Sequence, residues 1–361
     1  VITVTLALGT QRMVRRHALI RKLPAVETLG SVTTICSDKT GTLTQNKMVV
    51  QSLHTESQSL KVTGEGYEPT GSFFGEYQLD RPQENPELSP LLVACVTCND
   101  SILQQAKGQW SILGDPTEGA LLVVAGKAGL TQEAWERQLP RVAEFPFSSE
   151  RKRMSVVCQG RYRPASNLPD AASNYLMFTK GSPELTLERC TQIQVGDRIE
   201  SISEAQRQRI LEQNNQLAGG GLRVLGFAYK PWVNLPPEGA DDASEQELVW
   251  LGLVSMLDAP RPEVREAVAR CREAGIRPVM ITGDHQLTAK AIAQDLGIAR
   301  SDERVLSGRE LEKMSQADLD SQVGQVNVYA RVSPEHKLRI VQALQRQNEF
   351  VAMTGDGVND A

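Results

Sequence analysis

Ser31-Val-Thr-Thr-Ile-Cys-Ser-Asp38-Lys-Thr-Gly-Thr-Leu-Thr44 is the stretch that decides how this chain folds. A β-rich, largely apolar run leads into a polar loop that begins with an aspartate. Two later stretches repeat the pattern. Pro278-Val-Met-Ile281 leads into Thr282-Gly-Asp284, and Phe350-Val-Ala-Met353 leads into Thr354-Gly-Asp356. Short continuous apolar runs of this kind read as buried parallel strands. In open α/β sheets, chemistry collects beyond the carboxyl ends of the strands. The three acidic loops, distant in sequence, are therefore expected to converge on one site.

The segments between them carry helical spacing. After Asp284, Ala289, Ile292, Ala293 and Leu296 fall on one face and Gly297 closes the helix. Pro262 is expected to start another helix, with Val264, Ala267, Val268 and Cys271 three and four apart. Ser333-Pro334 reads as an N-cap with proline at the first helical position, and Leu338, Val341 and Leu344 as the buried stripe behind it. Between the first two acidic loops lies an insertion of different texture, with short strands, turns and Gly219-Gly-Gly221. Ser203 with Gln206 is a capping box for a helix running through Leu217. Asp241–Glu247 reads as a solvated acidic loop. The expected division is residues 1–49, 50–250 and 251–361, the middle part a second domain held by two hinge strands.

Composition narrows the function classes. The chain has 361 residues, 40% hydrophobic and 23% charged, and a formal net charge of -5. That is ordinary globular composition over two or three domains. No basic stripe is present to meet phosphates along a strand, so nucleic-acid binding is disfavoured. Six scattered cysteines point to a reducing compartment, and the lone Cys95-Val-Thr-Cys98 reads as two small buried residues and not a zinc site. Val1–Leu8 is an apolar stub followed by Arg12, Arg15, Arg16, Arg21 and Lys22. It fits the cytoplasmic end of a membrane helix and equally a buried N-terminal strand. A full span of about 20 apolar residues is absent. The chain opens without Met and stops at Asn359-Asp360-Ala361, as a piece of a longer protein would, with the end of its last domain missing.

The Asp38-Lys-Thr-Gly-Thr-Leu-Thr44 heptad carries the chemistry. A carboxylate is ionised at neutral pH and is an oxygen nucleophile that can attack a γ-phosphate in line. Gly41 and the threonines offer close backbone approach and donors for phosphate oxygens. Asp356 supplies a second carboxylate, and two carboxylates facing a nucleotide suggest Mg²⁺, which one or two protein carboxylates and phosphates can hold. The metal offsets the repulsion between an anionic nucleophile and a polyanion. Lys337 could place a positive charge on the transferring group, although taken alone it reads as a solvated helix lysine.

These motifs resemble those of the P-type ATPases, a branch of the haloacid-dehalogenase superfamily, and are most like its calcium-pump members. The likeness also includes Leu23-Pro-Ala-Val-Glu-Thr-Leu-Gly30, Gly114-Asp-Pro-Thr-Glu118, Phe147 through Met154, Lys180-Gly-Ser-Pro-Glu184 and Asp258-Ala-Pro-Arg261. The resemblance implies an α/β chain. Its Rossmann-like phosphorylation domain, with a parallel sheet, is interrupted by an α+β nucleotide-binding domain with an antiparallel sheet. It implies that Asp38 takes the phosphoryl group of ATP. Asp38, Asp356 and the Thr40 carbonyl would surround Mg²⁺. Thr282, Gly283, Lys337 and Asn359 would contact the phosphoryl group, with Asp360 supporting the metal site. Phe147 would stack on adenine. Glu118, Lys152, Lys180 and Arg223 would line the same nucleotide pocket, and Asp284 and Arg331 would also contact the nucleotide. The implied partners are an actuator domain and membrane helices that carry the transported cation, both outside this sequence. The implied location is a cytoplasmic loop of a membrane protein.

One position separates close relatives. Soluble phosphatases of the superfamily generally carry an aspartate two residues after the nucleophile as general acid and base; here that residue is Thr40. Without that group, an aspartyl phosphate should persist longer, as a pump requires. A soluble phosphatase and a nucleotide-binding module without turnover are the competing readings.

Overall fold

The computed structural model describes residues 2–15, 24–160, 162–168, 174–235 and 241–355. They divide into two compact units, residues 1–45 with 260–361, and residues 46–259. The chain leaves the first unit and returns to it along two strands, Thr44–His54 and Leu248–Pro260, which lie side by side in one sheet. Limits drawn at 50 and 250 both fall inside these strands.

The first unit is built on a five-stranded sheet in the order Val305–Ser307, Val328–Ala330, Arg277–Ile281, Thr34–Asp38, Val351–Thr354. Every pairing in it is parallel. The three acidic-loop strands are thus the three neighbours at one side of the sheet. Their register sets Asp38 opposite Ile281 and Ser37 opposite Thr354, so the loops leave the same edge. Cys36, Val279, Ile281, Leu306, Tyr329, Ile340 and Leu344 belong to its buried core. Ala289, Ile292, Ala293 and Leu296 are buried as their spacing implies, on the helix Gln286–Asp295, and Gly297 ends it at φ 74°. Two expectations need correction. The helix after Pro262 begins at Val264 and buries Val264 and Val268, leaving Ala267 exposed. In the helix Pro334–Arg346 the buried face is Ile340, Ala343 and Leu344, whereas Leu338 is 61% exposed. Successive residues turn by about 100°, so a face centred on residues 340, 343 and 344 carries Leu338 to the opposite side.

The second unit has a larger sheet. Tyr175–Gly181 pairs antiparallel with Arg153–Gln159 on one side and Arg223–Trp232 on the other. Among the described residues, Cys190–Val195 by contrast runs parallel to Leu248–Pro260. Both faces of the sheet are covered. Val156 and Phe178 point into one buried cluster with Leu91, Leu121 and Tyr229. Their neighbours Val157 and Met177 point into another with Phe145, Ile210 and Trp250. Burial on both faces explains why these strands read as continuous apolar runs although they are antiparallel. The Ser203–Gln206 capping box is present and its helix runs Glu204–Gly219. Asp241–Glu247 is not a solvated loop throughout: Ser244 and Glu245 are buried. Cys95 and Cys98 are buried as expected.

The N-terminal stub lies in a helix, Ile2–Val14, and not a strand. No helix among the described residues is long and apolar enough to cross a membrane.

Candidate active site

The Thr34–Asp38 strand ends on its aspartate, and the chain then turns tightly through Lys39–Leu43. Gly41 sits at φ 74°, ψ -25°, in the left-handed region where a Cβ is costly. Arg261 braces this turn from the returning chain. Its guanidinium donates to the Gly41 carbonyl at 2.7 Å and the Thr42 carbonyl at 3.1 Å, and its amide donates to Leu43 O at 2.9 Å. The Thr44 hydroxyl donates to Lys39 O at 3.2 Å. The turn carrying Thr40 is therefore held in shape before any ligand arrives.

Around Asp38 the charges are paired across loops. Lys337 Nζ lies 2.6 Å from Asp38 Oδ2, with the two side chains 13% and 16% exposed. Lys337 is thus no solvated helix lysine; Ser333 caps its helix so that the first turn faces the strand end. Lys39 Nζ lies 2.9 Å from Asp284 Oδ2. The Thr282-Gly-Asp284 loop is fixed by its own bonds. Asp284 N donates to Thr282 Oγ1 at 3.1 Å, and the amides of Arg331 and Val332 donate to the carbonyls of Asp284 and Thr282 at 2.9 and 3.2 Å. Arg331 takes φ 50°, an uncommon value for a non-glycine residue, and is exposed. Ser37 and Thr354 share a hydroxyl bond of 2.9 Å between the first and third strand ends. Burial pushes the Cys36 thiol up to about 12 against the pull of Arg277, so no thiolate competes with the carboxylate two residues on.

The structure brings Asp38, Thr40, Thr282, Gly283, Asp284, Arg331 and Lys337 to one edge of one sheet. Asp356, Asn359 and Asp360 lie outside the described residues. For a metal, the side-chain donors at this edge are hard oxygens, the Asp38 and Asp284 carboxylates, which suit Mg²⁺ and not zinc. No group of three or more His, Cys, Asp or Glu side chains among the described residues makes a cage of its own. Mg²⁺ bound through one or two carboxylates and the substrate's phosphates does not need one.

The second unit carries a cavity of about 630 Å³. Glu118, Phe147, Lys152, Lys180 and Arg223 all line it, although they come from a helix start, a turn and two strands. Phe147 is 63% exposed, an aromatic face open to stacking. Lys180 donates to Glu118 Oε1 at 2.6 Å and to Cys98 O at 2.5 Å, and Glu118 Oε2 accepts Asp100 N at 3.0 Å. Asp115 caps the helix Pro116–Lys127. Burial works against its charge, but the donors of Thr117 and Glu118, with Arg223 nearby, hold its carboxyl below the usual range. Gly181 allows the Lys152 turn to approach: a Cβ there would lie 2.5 Å from Lys152 O. A separate cleft of about 530 Å³ beside Tyr162 has Arg163 as its single cation among lining residues. An aromatic face with three cations fits a ligand with a flat ring and an anionic tail.

Two family models match. One, described as the P-type ATPase cytoplasmic domain N, covers residues 87–263, and one described as haloacid dehalogenase-like hydrolase covers residues 178–361. The chain belongs to the haloacid dehalogenase-like hydrolases. It is 42% identical over 361 residues to a calcium-transporting ATPase of Bacillus subtilis. It is 44% identical over 371 residues to the cation-transporting ATPase pma1 of Synechocystis, and 42% identical over 366 residues to a probable cation-transporting ATPase F of Mycobacterium tuberculosis. Each alignment covers the whole of this chain and 39% of the relative's length.

Within this chain, three contacts were not legible in the sequence. Lys39 stood inside the heptad, but nothing local shows that its side chain meets Asp284. Arg261 stood inside Asp258-Ala-Pro-Arg261, but only the fold reveals what it braces. Glu245, in a run of acids, gives no sign that it is buried.

Proposed function

We propose that this chain is the catalytic cytoplasmic part of an ATP-driven cation pump that works through an aspartyl phosphate. The observation that carries this reading is the Asp38–Lys337 pair at 2.6 Å beside the Thr282-Gly-Asp284 loop. Asp38 Oδ attacks the γ-phosphorus of ATP, the bond from that phosphorus to the β,γ-bridging oxygen breaks, ADP leaves, and an acyl phosphate remains. Lys337 meets the negative charge that accumulates on the transferring group, and Thr282 and Gly283 donate to its oxygens. Bound Mg²⁺ supplies charge neutralisation between carboxylate and phosphates. Thr40 leaves no carboxylic acid two residues after Asp38 to activate water, which favours a lasting intermediate over a phosphatase cycle. Residues 46–259 are the nucleotide-binding domain, with Phe147 on adenine and Lys152, Lys180 and Arg223 toward the phosphates.

Calcium is the favoured ion, because relatives from Bacillus subtilis and Lactococcus lactis are named calcium-transporting ATPases. Transport, the membrane helices that bind the ion, and an actuator domain belong to the parent protein. Incubation with γ-labelled ATP and Mg²⁺ tests the core reading. A label stable to acid, lost to hydroxylamine and mapped to Asp38 is the expected result. Rapid phosphate release from simple esters without a label would overturn it. Stimulation of the parent's ATPase by micromolar Ca²⁺ is expected, and stimulation by another cation alone would reject calcium.

A further inference from the structure

Behind the nucleotide pocket lies a buried ionic cluster that the reaction itself does not use. Glu245 is fully buried. Its Oε2 accepts Arg153 Nε at 2.6 Å and an Arg151 guanidinium nitrogen at 2.9 Å, from 94 residues earlier in the chain. Its Oε1 accepts Ser155 Oγ at 2.6 Å, and Ser155 bonds Thr179 Oγ1 at 2.8 Å. Side chains alternate along a strand. Met154 and Lys180, which pair in register, line the pocket, while Arg153, Ser155 and Thr179 face the other way. The cluster therefore backs the sheet whose front forms the pocket wall.

Each pocket cation on this wall is adjacent in sequence to a group in the cluster. Lys152 sits between Arg151 and Arg153, and Lys180 follows Thr179. Lys152 is held at φ 50°, its carbonyl accepts Ser182 N at 2.9 Å, and its amide donates to Ser148 O at 2.7 Å. Arg151 also donates to the Pro146 carbonyl, at the root of the turn that presents Phe147. A buried ion cluster is weak evidence for stability, since apolar residues of equal volume often serve as well. What it adds here is register: it pins a turn in an uncommon backbone conformation.

We propose that Glu245 is a positioning residue for the nucleotide, setting Phe147, Lys152 and Lys180 from behind the sheet. This rests on the reading of the pocket given above. The test is calorimetric titration of the 361-residue chain with ATP, with a thermal melt of each variant and titration at a temperature where all are folded. Glu245→Gln is expected to weaken ATP binding about tenfold, and Arg151→Gln, which keeps the Glu245–Arg153 pair, about threefold. Combined with Phe147→Ala, Arg151→Gln should cost less than it does alone, because both act through one turn. Wild-type affinity in either folded variant, or fully multiplicative losses with Phe147→Ala, would overturn the proposal. If Glu245→Gln does not fold, Arg151→Gln decides. A wild-type chain that fails to bind ATP would instead overturn the nucleotide-pocket reading itself.

Discussion

The two units solve the same problem, gathering distant residues into one site, in different ways. In the unit of residues 1–45 and 260–361, adjacent parallel strands end at one edge, so each loop delivers its residue by ending a strand. In residues 46–259, the pocket wall is drawn from a helix start, a turn and two strands of a largely antiparallel sheet, and is held by groups behind it. A parallel sheet makes a site from strand ends. An antiparallel sheet covered on both faces makes one from packing, so on the proposal above its pocket residues are set by side chains that do not line the cavity.

The largest effect should come from the first kind of site. Lys337→Met is expected to slow phosphorylation of Asp38 by about 10²-fold or more, the usual loss for one transition-state donor, with ATP affinity unchanged. Equal losses in rate and affinity, read by rapid-quench labelling and titration, would blur the distinction between the units. Next in size is a stability pair on the same helix. Ile340→Ala should cost about 2–5 kcal/mol in denaturant melts, whereas Leu338→Ala should cost under about 0.5 kcal/mol. The reverse order would mean that the helix presents the face read from spacing and not the one seen here.

In the second unit, Phe147→Ala should weaken ATP binding by about 0.5–1.5 kcal/mol beyond lost area and leave the melting temperature unchanged, because the ring is exposed. Unchanged affinity would remove the stacking role. The smallest effect is acid sensitivity. In this unit burial works against the Glu87 charge, but the Gly196 amide and the donors of Thr55 and Ser57 hold its carboxyl below the ordinary range. In the other unit Glu310, despite some desolvation, is lowered from 4.5 to about 2 by Ser307 and Arg304. A carboxyl lowered on folding contributes stability that is fully present above its unfolded pKa and is lost as pH falls through the folded value. Melts between pH 5 and pH 3 should therefore decline, and Glu87→Gln should flatten the decline for residues 46–259. A slope unchanged by that substitution would show that other groups carry it.

The contrast also explains what could be read in the sequence. Asp38, Thr282 and Asp284 were legible because an apolar run points at each of them; burial on both faces does not by itself set the pairing, since strands of residues 46–259 are buried on both faces and run antiparallel. Helix starts at Ser203 and Ser333 were legible from their caps. The stripe on the last helix was misplaced because Leu338, Val341 and Leu344 satisfy helical spacing as well as Ile340, Ala343 and Leu344 do. Only Lys337's link to Asp38 and the packing of Ile340 choose between them. Glu118, Phe147, Lys152, Lys180 and Arg223 carry no local pattern, and only family likeness names them. Glu245 was hidden for the same reason: a carboxylate in an acidic run looks solvated until two arginines, Arg151 in a turn and Arg153 at the start of the strand after it, meet it.

The central claim is that Asp38 accepts the phosphoryl group while other residues hold the nucleotide. The direct test sets wild type beside Asp38→Asn, measuring ATP affinity by titration and covalent label from γ-labelled ATP with Mg²⁺ on the same samples. The account predicts equal affinity and a label in the wild type alone. A label on the Asp38→Asn chain, or a wild-type chain that binds ATP with Mg²⁺ and never becomes labelled, would contradict it.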